Sequence, residues 1–254
     1  MTALLEARGL SRSFGAVQAL DKTDFDIQAG EVVALIGDNG AGKSTLVKAL
    51  TGNLDLDEGQ VLFEGEPVTF TSPHEASARG IEVVHQDLAL APHLDSAENM
   101  FLGREIMRPG IAGRLGFMDN AQMRKKSAEA FTELGSAVRS VVVPVGAMSG
   151  GQKQTVAIAR AVSWANKVLF LDEPTAALGV IQTQNVLDTI KRVRDKGLAV
   201  VLISHSMPHV LEVADRVQVL RLGRRVATFD GKNTSVEQLV GAMTGALDRK
   251  EGAA

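Results

Sequence analysis

The residues best suited to chemistry in this 254-residue chain form the run GDNGAGKST, residues 37–45. Gly37, Gly40 and Gly42, with Asp38, Asn39 and Ala41 between them, let the backbone curl until several N–H groups face one anion. Lys43 is placed to reach β- and γ-phosphates, and the Ser44 hydroxyl, ahead of Thr45, to ligate Mg2+. The spacing fits G-x-x-x-x-G-K-[ST]. The required context is also present, with the apolar run EVVALI before it and the helical LVKALTG after it. That helix adds the partial positive charge of its N-terminus.

Two further strand-like runs end in groups that belong beside such a loop. VLFLDEP, 168–174, closes on Asp172, where a P-loop enzyme holds its Mg2+ carboxylate, and on Glu173, positioned to polarise a water as general base. AVVLISH, 199–205, closes on His205, at the sheet edge where ligands bind, and predicts a γ-phosphate contact. A second anion cradle lies in MSGGQKQTVAIARA, 148–161, where Ser149, Gly150 and Gly151 precede an apolar-periodic helix.

The elements that must position these groups are legible in outline. LLEARGL and KTDFDIQ alternate as half-exposed antiparallel strands do. EVVALI, VLFL and AVVLIS are continuous apolar runs, as in strands buried on both faces of a parallel sheet. RVQVLRLGRRVATFDG predicts a late hairpin or pair of edge strands. Residues 88–165 lack such runs. There AQMRKKSAEAFTELG predicts a helix through Met123, Ala130, Phe131 and Leu134 capped by Gly135, RPGIAGRLG a loop, and KEGAA a frayed tail. The fold class is therefore α/β: a P-loop NTPase core on a mixed, mostly parallel sheet, an N-terminal antiparallel β subdomain and an inserted α-helical subdomain.

Composition narrows the function classes. With no cysteine, disulfides, thiolate metal sites and cysteine nucleophiles are excluded. A net charge of −3 gives no global basic field for nucleic acid. The first residues carry charges and no signal-peptide core, and no apolar run is long enough to span a membrane. The chain reads as soluble, so work at a membrane would need a partner that supplies the spans.

Taken together and in order, these motifs resemble the nucleotide-binding subunit of ATP-binding cassette (ABC) transporters over essentially all of residues 1–254. GDNGAGKS is similar to Walker A, VLFLDE to Walker B and MSGGQ to the family signature, with Met148 for the usual leucine. His205 falls at the switch histidine, Gln86 at the Q-loop glutamine that touches Mg2+ or the attacking water, and Phe14 at the aromatic that stacks on adenine. The resemblance implies ATP and Mg2+ as ligands and a core from 1–87 and 166–245 with a helical signature subdomain at 88–165. It also implies a head-to-tail homodimer in which Ser149, Gly150, Gly151 and Gln152 meet the γ-phosphate on the partner's loop. The other implied partners are transmembrane permease subunits and, indirectly, a periplasmic sugar-binding protein, which would seat the chain on the cytoplasmic face of the membrane.

SPHEASARGIEVVHQDLALAPHLDSAENMFLGRE is similar to the monosaccharide-import branch. One P-loop and one signature make the chain most like single-cassette fructose importers. A non-sugar transporter ATPase, or a soluble cassette ATPase acting on nucleic acid or ribosomes, is the alternative. One motif departs from the family: after Glu173 the usual Ser-Ala-Leu-Asp is Ala176-Ala177-Leu178-Gly179, so an aspartate that reaches across the dimer is replaced by glycine.

Overall fold

The structure is a computed structural model that describes residues 3–135 and 140–246. The first half contains β1 (Leu5–Phe14), β2 (Val17–Ile27), β3 (Val32–Ile36), α1 (Lys43–Leu50), β4 (Glu58–Phe63), β5 (Glu66–Val68), α2 (Pro73–Ala78), β6 (Ile81–Val84), α3 (Ser96–Phe101), α4 (Ile111–Arg114) and α5 (Asn120–Glu133). The second contains α6 (Gly150–Trp164), β7 (Val168–Asp172), α7 (Val180–Asp195), β8 (Ala199–Ile203), α8 (Met207–Val213), β9 (Arg216–Arg221), β10 (Arg224–Asp230) and α9 (Val236–Thr244).

Two sheets result. One is antiparallel, in the order β2-β1-β4-β5; the other runs β10-β9-β3-β8-β7-β6 and is parallel except for the β9–β10 hairpin. The continuous apolar runs account for the centre of the larger sheet. In β3, Val32, Ala34 and Ile36 face one core with α6, α7 and α8, while Val33 and Leu35 face the other with β1, β2 and α1. A strand buried on both faces has no place for a polar residue without a partner, which is why the apolar–polar alternation disappears in β3.

Several expectations need correction. β9 is interior, paired parallel to β3, so the late hairpin has one edge strand, β10, and not two. β6 extends the parallel sheet beyond β7, where the sequence suggested three core strands. RPGIAGRLG is not plain loop: its middle forms the one-turn α4, between residues joined by a Met107–Met118 bridge. The helix at 120–133 buries Met123 and Phe131, with Leu134 at its C-cap and Gly135 beyond in the left-handed region at φ 62. The KEGAA tail lies outside the described residues. Among the described residues no helix is long and apolar enough to cross a membrane.

Candidate functional site

The carboxyl ends of β3, β7 and β8 open on one cleft of about 800 Å3. Its lining brings together all nine residues Gly37 to Thr45 with Gln86, Asp172, Glu173 and His205. Parallel strands deliver their C-terminal residues to the same edge, so groups up to 168 positions apart converge without any local sequence signal.

Two of the loop's glycines leave no room for a side chain. A Cβ on Gly37 (φ 154) would collide with the Leu220 carbonyl, and one on Gly42 (φ 101) with the carbonyl of Ala19. Gly42 is also the N-cap of α1 and supplies no side-chain acceptor, so no side chain caps the N–H groups of that first turn. Lys43 Nζ donates to the carbonyls of Gly37 at 2.6 Å and Asp38 at 3.0 Å, which folds its ammonium over the cup. Burial lowers the Lys43 pKa, and the charges of Glu173, Asp172 and Asp38 oppose that shift.

Opposite stand the two carboxylates. Burial, and then the neighbouring Glu173, raises the Asp172 pKa, while His85 and Lys43 pull it down. A half-buried carboxylate short of cation fits a divalent ion, and the Ser44 hydroxyl and Gln86 amide oxygen add the hard oxygen donors that Mg2+ prefers. Glu173 holds an uncommon left-handed backbone (φ 49) anchored by its N–H to the Ile203 carbonyl at 2.9 Å. Its Oε1 lies 2.9 Å from Nδ1 of His205, a side chain that is 79% exposed at the mouth of the cleft.

The second cradle is elsewhere. Ser149 caps α6 in a capping box: its Oγ accepts from the Gln152 N–H at 3.3 Å, and Gln152 Oε1 accepts from the Ser149 N–H at 3.0 Å. None of Ser149, Gly150, Gly151 or Gln152 lines the cleft. Phe14 is no core residue: at 49% exposure it ends β1 and pairs in register with Val17, which does line the cleft.

Sequence reasoning missed several contributors. Val17, Gln18 and Ala19 form one wall, and Met243 of α9 closes the cleft from the far end of the chain. Arg160 of α6 donates to the carbonyls of Leu88 and Ala89, two residues held at positive φ just after Gln86. Its signal was present as the lone cation in the apolar stretch VAIARAV.

A glycine loop between a parallel strand and a helix, with a carboxylate pair at the end of β7, one strand removed in the same sheet, defines a P-loop nucleotide hydrolase. Within that class the ABC transporter family model matches residues 20–176, and the chain belongs to that family, whose cassettes are ATPases. A fructose import ATP-binding protein of Rhizobium meliloti is 50% identical, over 96% of this chain and 95% of its own length. A xylose/arabinose import ATP-binding protein of Sulfolobus acidocaldarius is 42% identical over 96% and 95%. A putative ribose/galactose/methyl galactoside import ATP-binding protein of Burkholderia ambifaria, 42% identical, matches 95% of this chain but 46% of its own length. Among solved structures, an ATP-binding cassette of an ABC transporter in its ADP conformation superposes with a TM-score of 0.80 at 25% identity, covering 99% of this chain and 100% of that one. A nucleotide-free cassette gives 0.78 at 25% identity, covering 97% and 96%.

Proposed function

We propose that the chain is the ATP-hydrolysing subunit of an importer that energises uptake of a monosaccharide, fructose or one similar, through a membrane permease. One observation carries this reading: the 2.9 Å contact between Glu173 and His205 at the edge of a cleft that also holds Lys43 and Asp172. The full-length likeness to sugar-import ATP-binding proteins supports the cargo class.

In this reading the loop 37–45 and Lys43 bind the phosphates of ATP, and Phe14 takes the adenine. Mg2+, held by Ser44 and Asp172 with Gln86 nearby, would neutralise the phosphate charge as it shifts toward the leaving group. Glu173 accepts a proton from the attacking water. His205, bonded to that carboxylate, fixes its direction and lies within reach of the γ-phosphate.

Two chains meet head to tail, each offering Ser149, Gly150, Gly151 and Gln152 to the other's nucleotide. Val180 and Ile181, 89% and 74% exposed directly after Gly179, give the meeting face an apolar pair. Residues 88–165 serve as the helical subdomain that receives the permease, and 1–87 with 166–245 as the catalytic core. The chain then works at the cytoplasmic face of the membrane without entering it.

Two measurements test the proposal. Glu173→Gln should abolish turnover while keeping ATP binding and accumulating an ATP-bound dimer. Monomers at saturating Mg·ATP would refute the head-to-tail arrangement. For cargo, the permease that co-purifies with the chain, reconstituted with its binding protein, should show ATPase stimulated by a monosaccharide. Stimulation by an amino acid or lipid alone would remove the sugar assignment.

A further inference from the structure

The residue beside the cleft that the reading above leaves unused is Arg12. It lies two positions before Phe14 on β1, so strand alternation puts both side chains on one face. Its guanidinium carbon stands 5.3 Å from the centroid of the Phe14 ring. Nη1 donates to Asp57 Oδ1 at 2.8 Å. Asp57 is itself fixed to β1 twice, accepting the Ser13 N–H on Oδ2 at 2.7 Å and donating its own N–H to the Ser11 carbonyl at 2.9 Å. The Arg12 Nε is buried with no partner among the described residues, so Asp57 and the ring are what hold the group. A carboxylate locked to the backbone thus holds a planar cation against an aromatic ring that is otherwise half-exposed.

We infer that Arg12, anchored by Asp57, is a positioning residue for nucleobase binding: it braces one face of Phe14 so that the opposite face is presented to a purine. This rests on the reading of Phe14 as the adenine platform. Phe14 ends its strand at a two-residue turn and has no core to pack against, so its ring would otherwise sample several rotamers. A cation over one face restricts it and adds the attraction between positive charge and ring quadrupole. The cost of ordering the ring is then met before the nucleotide arrives.

The test separates the base from the phosphates. Binding of Mg·ATP and of Mg·tripolyphosphate, which has no base, is measured on the full chain and on Arg12→Met. The expected result is ATP affinity lower by about two- to five-fold with tripolyphosphate affinity unchanged. Asp57→Asn, which keeps an acceptor for the Ser13 N–H and loses the charge, should show the same ATP-only loss to a lesser degree. Equal loss on both ligands means a general electrostatic or folding effect and overturns the inference, as does an unchanged ATP affinity. If the parent chain binds ATP no better than tripolyphosphate, the platform reading of Phe14 fails and the inference with it. A parent preference for ATP that Arg12→Met leaves intact sinks the Arg12 assignment alone.

Discussion

The two glycine-bearing turns at helix N-termini, before α1 and before α6, have opposite local construction. At Gly42 the backbone is left-handed, no side chain caps the helix, and the glycines fit against the carbonyls of Ala19 and Leu220. At Ser149 the backbone is extended, serine and glutamine close a capping box, and a Cβ on Gly150 would meet only open space. The first turn is a cup made by surrounding chain. The second holds its shape with its own two side chains, at the surface, away from the cleft. The uncapped N-terminus inside the cleft leaves its first N–H groups open to an anion, whereas at the self-capped one the Ser149 and Gln152 N–H groups are already donated to side chains.

The sharpest way to break this contrast is at the cup. Lys43→Ala should lower ATP affinity by about ten- to a hundred-fold, the size of a lost charge-assisted hydrogen bond, with turnover below detection. Ser149→Ala, by contrast, should leave ATP binding to the single chain unchanged while turnover falls about ten-fold. Removing the cap should also cost about 1 kcal/mol of stability in urea unfolding. If Ser149→Ala weakened single-chain binding as Lys43→Ala does, the two cradles would not be separate sites.

Gly179 sharpens the comparison, because it stands beside the second turn, sharing Gln182 with Gly151. It is the N-cap of α7 with no side-chain bond, and a Cβ there meets only the flexible end of Gln182, the same side chain that packs on Gly151. Gly179→Asp should therefore fold well and strengthen communication between paired sites, seen as higher ATPase cooperativity with a smaller change in rate. Unaltered cooperativity and transport coupling would count against a role for this position.

The smallest effect on stability concerns Asp172. Its folded pKa is raised above 3.8 by burial and by Glu173, so the folded state disfavours the ionised form. Stability from this group is full below pH 3.8 and is lost as pH rises through the raised value. In the nucleotide-free chain Asp172→Asn should then raise Tm at pH 7, with the gain shrinking on acidification, while abolishing Mg2+-dependent hydrolysis. A gain independent of pH would show that the charge is not the cause.

Much of the catalytic side was legible because its chemistry is local in sequence. Gly37 to Thr45 are contiguous, and β7 and β8 announce themselves as continuous apolar runs, closed or followed by Asp172, Glu173 and His205. β6 was not legible, since Ile81–Val84 is four residues long with Glu82 inside an otherwise apolar segment. Nor was the interior place of β9: Arg216 and Gln218 look like surface residues, yet Gln218 is buried and donates to the Asp26 carbonyl, and Arg216 pairs with Glu31 and Asp26. Polar residues whose partners lie some 190 positions away cannot be distinguished in sequence from solvated ones.

The order of motifs, the glycine cup and the residue types that the strand ends carry were determined by the sequence itself, because each depends on residue type at short spacing. Tertiary structure alone decided that Glu173 faces His205, that Met243 and Ala19 wall the cleft, that Arg160 holds the chain after Gln86, and that the signature turn stays outside the site of its own chain. Those relations join segments far apart in the chain, and only the sheet order and the packing of helices across it bring them within reach.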